Sequence, residues 1–157
     1  MSTQPIRVLF VCLGNICRSP MAEAVFQHKV AQAGLSEQIK TDSAGTGHWH
    51  VGHPPHEGTR KLLQAKNIEY THLARLVRLA DFTDFDYILA MDEQNLADLQ
   101  RMSSGSERVR TLLSYAPDCG YAEVPDPYYT GNFDEVYSLV DSASDALLAV
   151  IRRERGL

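Results

Sequence analysis

Cysteine is scarce in this chain of 157 residues, with three in total at Cys12, Cys17 and Cys119. So small and odd a number argues against a disulfide framework and predicts free thiols in a reducing compartment. Long apolar runs are also missing, since nothing approaches the ~18 consecutive apolar residues of a membrane span, and the first residues show no signal-peptide pattern. We therefore expect a cytoplasmic protein without a membrane partner.

Positive charge is in deficit, because 15 Lys and Arg face 20 Asp and Glu and give a formal net charge of −5. This balance is the opposite of the basic surface that binds nucleic acid, so a nucleic-acid partner is not expected. The chain also lacks the two common glycine-rich nucleotide motifs, Gly-x4-Gly-Lys-Ser/Thr and Gly-x-Gly-x-x-Gly. Any anionic ligand must therefore be bound by a local arrangement of groups.

The composition that remains is ordinary for one globular domain, with 44% hydrophobic and 22% charged residues. A domain of this length buries roughly 70% of the surface that its unfolded chain exposes, so its core needs neither disulfides nor a structural metal. We find no internal repeat, low-complexity tract or linker. Residues 1–157 are therefore predicted to form a single domain, and we expect it to be a monomer.

Predicted strands alternate with predicted helices. Residues 6–12 are almost all apolar and rich in β-branched side chains, which is typical of a strand covered on both faces. Further strands are predicted at 38–43, 86–91 and 109–113, and helices at 19–34, 55–66, 92–102 and 133–153, with Ser19 and Asp92 as caps and Glu23 near a positive helix end. This order predicts an α/β fold, a three-layer α/β/α arrangement around a four-stranded parallel sheet of flavodoxin-like or Rossmann-like topology.

The first predicted turn carries a chemical motif, Cys12-Leu-Gly-Asn-Ile-Cys-Arg18-Ser19. Amide groups of such a turn and a helix amino terminus form a cradle for a tetrahedral oxyanion, and an arginine binds two of its oxygens. Thiols in such positions have pKa values of roughly 3.5 to 7.5 instead of about 8.5, so a thiolate nucleophile is expected at Cys12, with the Ser19 hydroxyl donating to its sulfur. Gly14 and Asn15 are residue types that tolerate the positive φ angles that a loop curled around an anion often needs.

The string from residue 8 to 23, Val-Leu-Phe-Val-Cys-Leu-Gly-Asn-Ile-Cys-Arg-Ser-Pro-Met-Ala-Glu, resembles the low-molecular-weight protein tyrosine phosphatases. Similar segments follow at 42–47, 90–96 and 124–129, so the resemblance spans nearly the whole chain. It implies hydrolysis of phosphotyrosine proteins without a cofactor or metal, through a phosphocysteine on Cys12, with Arg18 as the phosphate clamp. It also implies further site residues, namely a phosphate-binding loop of Leu13, Gly14, Asn15, Ile16, Cys17 and Ser19 and a supporting network of Asn15, Ser43 and His72.

The general acid is less clear from the residues alone. Asp126 lies between two prolines in the loop after the fourth predicted strand, at the correct edge of the sheet, but Asp42, Asp81, Asp84, Asp86 and Asp92 compete with it. Of these, Asp92 is best explained as a helix cap. The resemblance selects Asp126 as the acid that protonates the leaving oxygen.

Three aromatic residues, Trp49, Tyr128 and Tyr129, lie in the two other loops that should converge on this edge. They either wall a deep slot for the substrate's phenyl ring or pack beneath the loops. The resemblance further implies that a tyrosine kinase phosphorylates the two tyrosines.

Several alternatives remain open at this point. Four histidines, His48, His50, His53 and His56, resemble a metal tract, but Pro54 and Pro55 interrupt any regular presentation, so we predict a polar loop without metal. An arsenate reductase of the same fold would need relay cysteines, and none occurs around residues 79–81. A phosphocysteine carrier would not need Arg18 and Asp126. Cys17 either fills space or traps oxidised Cys12 as a disulfide.

Overall fold

The computed structural model describes residues 4–157 and contains one parallel sheet with strand order β2-β1-β3-β4. The strands are β1 (Ile6–Cys12), β2 (Ile39–Gly45), β3 (Tyr87–Ala90) and β4 (Val109–Thr111). The helices are α1 (Arg18–Gln32), α2 (Glu57–Ala65), α3 (Asp81–Asp84), α4 (Glu93–Ser103), α5 (Pro127–Thr130) and α6 (Phe133–Arg155), and two short 3-10 helices follow β4 at Leu112–Tyr115 and Pro117–Cys119. The predicted fold class is confirmed.

The side chains of β1 alternate between two apolar cores, one on each face of the sheet. Val8 and Phe10 pack on the face covered by α1 and α6, whereas Leu9 and Val11 pack on the opposite face with Leu99 of α4. This is why the β1 sequence has no polar alternation: both of its faces are buried in a three-layer arrangement. Within residues 4–157, no helix combines the length and the apolar character that crossing a bilayer requires.

The position of β1 at the centre of the sheet determines where a ligand fits. The chain leaves β1 for β2 on one side and later returns to β3 on the other, so the strand order reverses at β1. Ligands of open α/β sheets bind beyond the carboxyl ends of the strands at such a reversal. The turn that follows Cys12 lies at this point.

Several predicted boundaries are wrong, each for a local reason. Ser19 does not cap α1; it lies fully buried inside the helix, while Cys17 occupies the cap position without a side-chain hydrogen bond. Glu23 does not lie in the first turn of α1; it is 5% exposed and accepts hydrogen bonds from two hydroxyl groups. The fourth strand ends at Thr111 because the chain turns into a 3-10 helix at Leu112.

Candidate active site

Cys12 ends β1 and is 3% exposed, with its sulfur on the floor of a cavity. The sulfur accepts a hydrogen bond from the backbone N–H of Asn15 at 3.3 Å, and the Ser19 hydroxyl lies 3.1 Å from it. Both contacts stabilise a thiolate more than a thiol, because hydrogen bonds to an ionised acceptor are stronger. The predicted contact between Ser19 and Cys12 is confirmed.

The loop after Cys12 is held by its carbonyl groups. The carbonyl oxygens of Cys12, Leu13 and Ile16 accept hydrogen bonds from the backbone of Thr46, Gly47 and His56, respectively, at 2.7 to 3.0 Å. In a planar trans peptide, the C=O of one residue and the N–H of the next point in opposite directions. The N–H groups of Leu13, Gly14 and Cys17 therefore point away from these partners, toward the anion side of the loop.

Asn15 is the residue that curls the loop, with φ at +56°. Gly14, which also tolerates a positive φ, does not adopt one; a side chain there would instead meet the His50 ring, 3.0 Å from the Cβ position. Gly45 is needed for a similar reason, because a Cβ atom there would lie 2.7 Å from the Leu13 carbonyl oxygen. The end of β2 thus approaches the loop as closely as a backbone without a side chain allows.

A buried hydrogen-bond network supports the loop from behind. The amide nitrogen of Asn15 donates to Ser19 Oγ at 2.8 Å and to Ser43 Oγ at 3.0 Å, and His72 Nε2 lies 2.8 Å from Asn15 Oδ1. Burial lowers the pKa of His72, although Asp42 opposes that shift. The structure thus brings Ser43 and His72 together around Asn15, as predicted.

Arg18 is 3% exposed and lies at the start of α1, facing two carboxylates. Its guanidinium donates to Asp92 Oδ2 at 2.7 Å, to the Val124 carbonyl at 3.1 Å and to Asp126 Oδ2 at 3.5 Å. Burial works against its charge, but the Cys12 sulfur and the two carboxylates outweigh that effect and raise the pKa of Arg18. Among residues 4–157, no hydrogen-bond partner is found for its buried Nε atom, so this donor is free for an anion.

Asp126 approaches the cavity from the loop between β4 and α5. Its Oδ1 accepts from the Tyr128 backbone N–H at 3.1 Å and so caps α5, while Oδ2 faces Arg18. The Val124 N–H donates to the Met91 carbonyl at 2.9 Å, which ties this loop to the end of β3. Proline on both sides of Asp126 restricts its backbone further.

Asp92 has two functions, of which the sequence indicated one. As predicted, it caps α4, with Oδ1 accepting from the Asn95 N–H at 2.7 Å. Its other carboxylate oxygen forms the ion pair with Arg18 described above, which the sequence did not indicate.

The cavity above Cys12 has a volume of about 350 Å³. Its lining comes from all three loops that were expected to converge: Cys12, Leu13, Gly14, Ile16, Cys17 and Arg18, then Trp49 and His50, then Asp126, Tyr128 and Tyr129. The aromatic rings line its mouth but stay largely exposed, with Trp49 at 63%, Tyr128 at 54% and Tyr129 at 78%. The three rings therefore form an exposed aromatic rim at the cavity mouth, and they do not pack beneath the loops.

Cys17 lines the same cavity as Cys12. Burial, with the neighbouring Cys12 and Asp126 adding to it, raises the pKa of the Cys17 thiol to about 12. Cys17 is therefore a neutral thiol at physiological pH. A neutral thiol is a poor nucleophile, so Cys17 does not compete with Cys12 for that role.

The histidine tract does not assemble a metal site. The only convergent set of potential ligands found among residues 4–157 is Glu23, Asp42 and His72, behind the loop. His56 caps α2 by accepting from the Gly58 N–H at 3.0 Å, and its ring stacks on Phe133. His50 lies against Tyr128 at the cavity mouth, with ring centroids 6.1 Å apart.

Sequence reasoning missed four residues that the structure places in or behind the site: Glu23, His50, Tyr70 and, as the partner of Arg18, Asp92. His50 had a signal, since it follows Trp49 in a loop that was expected at the cavity. Tyr70 had none, because it lies in an irregular segment far from any motif.

Comparison with known proteins agrees with this geometry. Residues 7–157 match the family model of the low molecular weight phosphotyrosine protein phosphatases. The chain is 52% identical to the low molecular weight protein-tyrosine-phosphatase YfkJ of Bacillus subtilis, with 97% of this chain and 99% of that protein covered. The corresponding figures for the low molecular weight phosphotyrosine protein phosphatase of Schizosaccharomyces pombe are 46%, 94% and 99%.

Solved structures give the same result. The crystal structure of YfkJ aligns with a TM-score of 0.94 at 51% identity over 96% of this chain and 97% of that one. A Drosophila protein described as an arginine phosphatase aligns with a TM-score of 0.88 at 35% identity, over 94% and 98% of the two chains. From its loop, its fold and these relatives, we conclude that the chain is an enzyme of the low-molecular-weight protein-tyrosine-phosphatase family.

Proposed function

We propose that this enzyme hydrolyses phosphotyrosine and other aryl phosphate monoesters through a phosphocysteine intermediate on Cys12. One observation carries the proposal: Cys12, Arg18 and Asp126 line one cavity, and among residues 4–157 the Nε–H of Arg18 has no hydrogen-bond partner. A nucleophile, an anion clamp and a proton donor are the three groups that transfer of a phosphoryl group to an enzyme requires.

In the first step, the Cys12 thiolate attacks phosphorus and the bond to the phenolic oxygen breaks. Arg18 and the loop N–H groups bind the three non-bridging oxygens, on which the charge lies in the transition state. Protonated Asp126 gives its proton to the departing oxygen, so that a neutral phenol leaves. The Ser19 and Asn15 donors hold the sulfur in its reactive form.

In the second step, water attacks the phosphocysteine and restores the Cys12 thiolate. Asp126, now a carboxylate, accepts a proton from that water and returns to its acid form as inorganic phosphate is released. Arg18 keeps the same contacts through both steps. Hydrolysis of the intermediate distinguishes this proposal from a phosphocysteine carrier.

The choice of an aryl phosphate rests on the cavity mouth. The rings of His50, Trp49 and Tyr128 lie where the group that bears the phosphate must pass, and aromatic faces favour a phenyl ring. One relative is described as an arginine phosphatase, so phosphoarginine is the competing substrate. Turnover of matched phosphotyrosine and phosphoarginine peptides, with a chelator present, decides between them. Faster turnover of phosphoarginine would contradict the proposed substrate.

We expect Asp126→Ala to lower kcat by roughly 10²- to 10⁴-fold on aryl phosphates with basic leaving groups, because these need a proton. The loss should be smaller for para-nitrophenyl phosphate, whose leaving group needs less assistance. The check is a series of aryl phosphates assayed across pH, in which the fall of wild-type kcat at alkaline pH should disappear in the variant.

Asp118→Ala is the matched control for this experiment, since Asp118 lies in the 3-10 helix of the same long loop, outside the cavity lining. It should leave the leaving-group dependence unchanged. If Asp126→Ala slows all leaving groups equally, then Asp126 is not the acid, and Asp92 becomes the candidate.

We also propose that Cys17 protects the nucleophile from irreversible oxidation. Hydrogen peroxide oxidises the Cys12 thiolate to a sulfenic acid and is itself reduced to water; the Cys17 thiol then attacks that sulfur, forming a disulfide and releasing a second water. Peroxide-treated wild type should regain activity with a thiol reductant, whereas Cys17→Ser should not. Equal recovery of both proteins, or a Cys12–Cys119 linkage in peptide mass spectra, would contradict this role.

The structure and the family also bear on the domain organisation, the partners and the location of the enzyme. We infer that residues 1–157 act as a single domain, since one family model matches residues 7–157, and we propose that the enzyme is a monomer. Phosphotyrosine proteins are the proposed substrates, and a tyrosine kinase that modifies the exposed Tyr128 and Tyr129 is a proposed partner. All three cysteines are free, which suits a reducing compartment, and we propose the cytoplasm.

A further inference from the structure

Tyr70 lies in the segment between α2 and α3 and joins the network behind the loop to a buried acid. Its hydroxyl donates to Glu23 Oε1 at 2.5 Å and lies 3.3 Å from Ser43 Oγ. Glu23 is on α1, and its second oxygen accepts from Thr41 Oγ1 at 2.9 Å. Neither Tyr70 nor Glu23 lines the cavity, and the proposed mechanism assigns them no role.

The proton of Tyr70 must go to Glu23. Burial, reinforced by the adjacent Glu23, raises the pKa of Tyr70 far above its ordinary value, so the hydroxyl remains protonated. Burial also raises the pKa of Glu23, but the hydrogen bonds from Tyr70 and Thr41 oppose that shift by favouring the carboxylate. A hydroxyl has one proton to give, so the Tyr70 oxygen is an acceptor toward Ser43.

The orientation of the Asn15 amide is determined by its other neighbours. Asn15 Oδ1 accepts from the Arg75 backbone N–H at 3.1 Å, so the His72 Nε2 atom beside it must carry a hydrogen and donate as well. The NH₂ group of Asn15 therefore points to the two serines. Since His72 Nε2 already carries a hydrogen, Ser43 cannot donate to it, and its proton goes to Tyr70.

The result is a hydrogen-bond chain with a defined direction. On one side, Asn15 donates to Ser43, which donates to Tyr70, which donates to Glu23. On the other side, Asn15 donates to Ser19, so the proton of Ser19 is left for the Cys12 sulfur. Donors in such a chain polarise one another. Other charged groups face the two ends: Asp42 lies near Glu23, and Arg18 and Asp126 lie near the Cys12 end.

We propose that Tyr70 is a positioning residue, which ends this chain on Glu23 and thereby polarises the donors that lead through Asn15 and Ser19 to Cys12. Without the Tyr70 hydroxyl, Ser43 loses the acceptor that lies 3.3 Å away and is left with the Glu23 carboxylate. The chain is weakened, so the Asn15 amide that donates to Ser19 is polarised less. The inference rests on Cys12 being the nucleophile of the proposed function. It adds a residue that acts on this nucleophile without contacting substrate.

The test is Tyr70→Phe, which keeps the ring and removes the hydroxyl. The rate of Cys12 alkylation by iodoacetamide is measured from pH 4 to 9 by peptide mass spectrometry, and the midpoint of its rise reports the thiolate. We expect that midpoint to move up by about half a unit to one unit, the effect of weakening one hydrogen bond to an ion. The acidic limb of kcat/KM should move with it, while KM stays near wild type.

Tyr87→Phe is the matched control, because Tyr87 donates a similar bond to Glu154 at 2.6 Å from the amino end of β3, away from the cavity. It should leave the alkylation midpoint unchanged. A lower Tm in Tyr70→Phe with the wild-type midpoint would show a purely structural role and overturn the proposal.

If Tyr70→Phe does not fold, Glu23→Gln tests the same positioning role. An amide offers Tyr70 a donor as readily as an acceptor, so the direction of the chain is lost and the midpoint should again rise. An unchanged midpoint in Glu23→Gln would overturn the proposal. Alkylation needs no turnover, so a failure of the phosphatase mechanism itself would be seen separately, as absent hydrolysis with a normal midpoint.

Discussion

Cys12→Ser is expected to lower phosphatase turnover by at least roughly 10⁴-fold, because a serine hydroxyl is not ionised at neutral pH, and Asp126 must be protonated when the nucleophile attacks. The fold should persist, since the smaller oxygen occupies the same place at the end of β1 and still faces Ser19 and the Asn15 N–H. Initial rates on para-nitrophenyl phosphate and thermal unfolding of the same preparation measure the two effects.

Cys119→Ser is the appropriate control, because that thiol lies outside the cavity lining and its hydrogen bond goes to the Tyr121 carbonyl. It should behave as wild type. Hydrolysis by Cys12→Ser above a trace level would exclude the covalent mechanism, whatever the behaviour of the other variants.

Arg18→Ala is expected to lower kcat/KM by roughly 10³- to 10⁵-fold, the range found when an arginine that stabilises a transferring phosphoryl group is removed. Two losses combine, since the anion loses its clamp and the Asp92 and Asp126 carboxylates then repel it without a counter-charge. Unlike Cys12→Ser, this variant should also be less stable, by about 1–3 kcal/mol, because Asp92 loses a buried partner.

Arg18→Lys separates charge from geometry in that experiment. Lysine keeps the positive charge but cannot hold two phosphate oxygens in one plane, so activity should stay low while much of the stability returns. Arg78→Ala serves as the surface control, because its side chain is 67% exposed and pairs with Asp81 at 3.6 Å. Wild-type activity in Arg18→Lys would show that the planar contacts are unimportant.

The local sequence was sufficient to predict the central strand, the phosphate-binding loop and their place in the sheet. The apolar run of β1 follows from burial on both faces, and the loop residues carry their chemistry within eight positions. The same reasoning placed Asp126 at the correct edge, because the carboxyl ends of parallel strands share one side. Ser43 and His72 could be assigned to the site only through the family resemblance, since nothing in the sequence around them indicates a site.

The contacts that could not be predicted are those between distant positions. Arg18 and Asp92 are 74 positions apart, and Glu23 and Tyr70 are 47 apart. No periodicity or motif links such pairs, because each side chain also has an ordinary local explanation, as a cap or an exposed polar group. The reason for a glycine at position 14 could not be predicted either. Both glycine and asparagine tolerate a positive φ, but only Asn15 adopts one, and the packing of His50 against the loop shows that Gly14 is needed for space.

The ion pair between Arg18 and Asp92 bears on how the enzyme releases its product. Inorganic phosphate fits the loop as well as the substrate's phosphate does, so an unopposed guanidinium would retain it and slow every cycle. Asp92 already takes one N–H of Arg18 and offsets its charge, which weakens the hold on a spent anion. We therefore expect Asp92, which also caps α4, to lower the affinity of the site for inorganic phosphate and to speed its release.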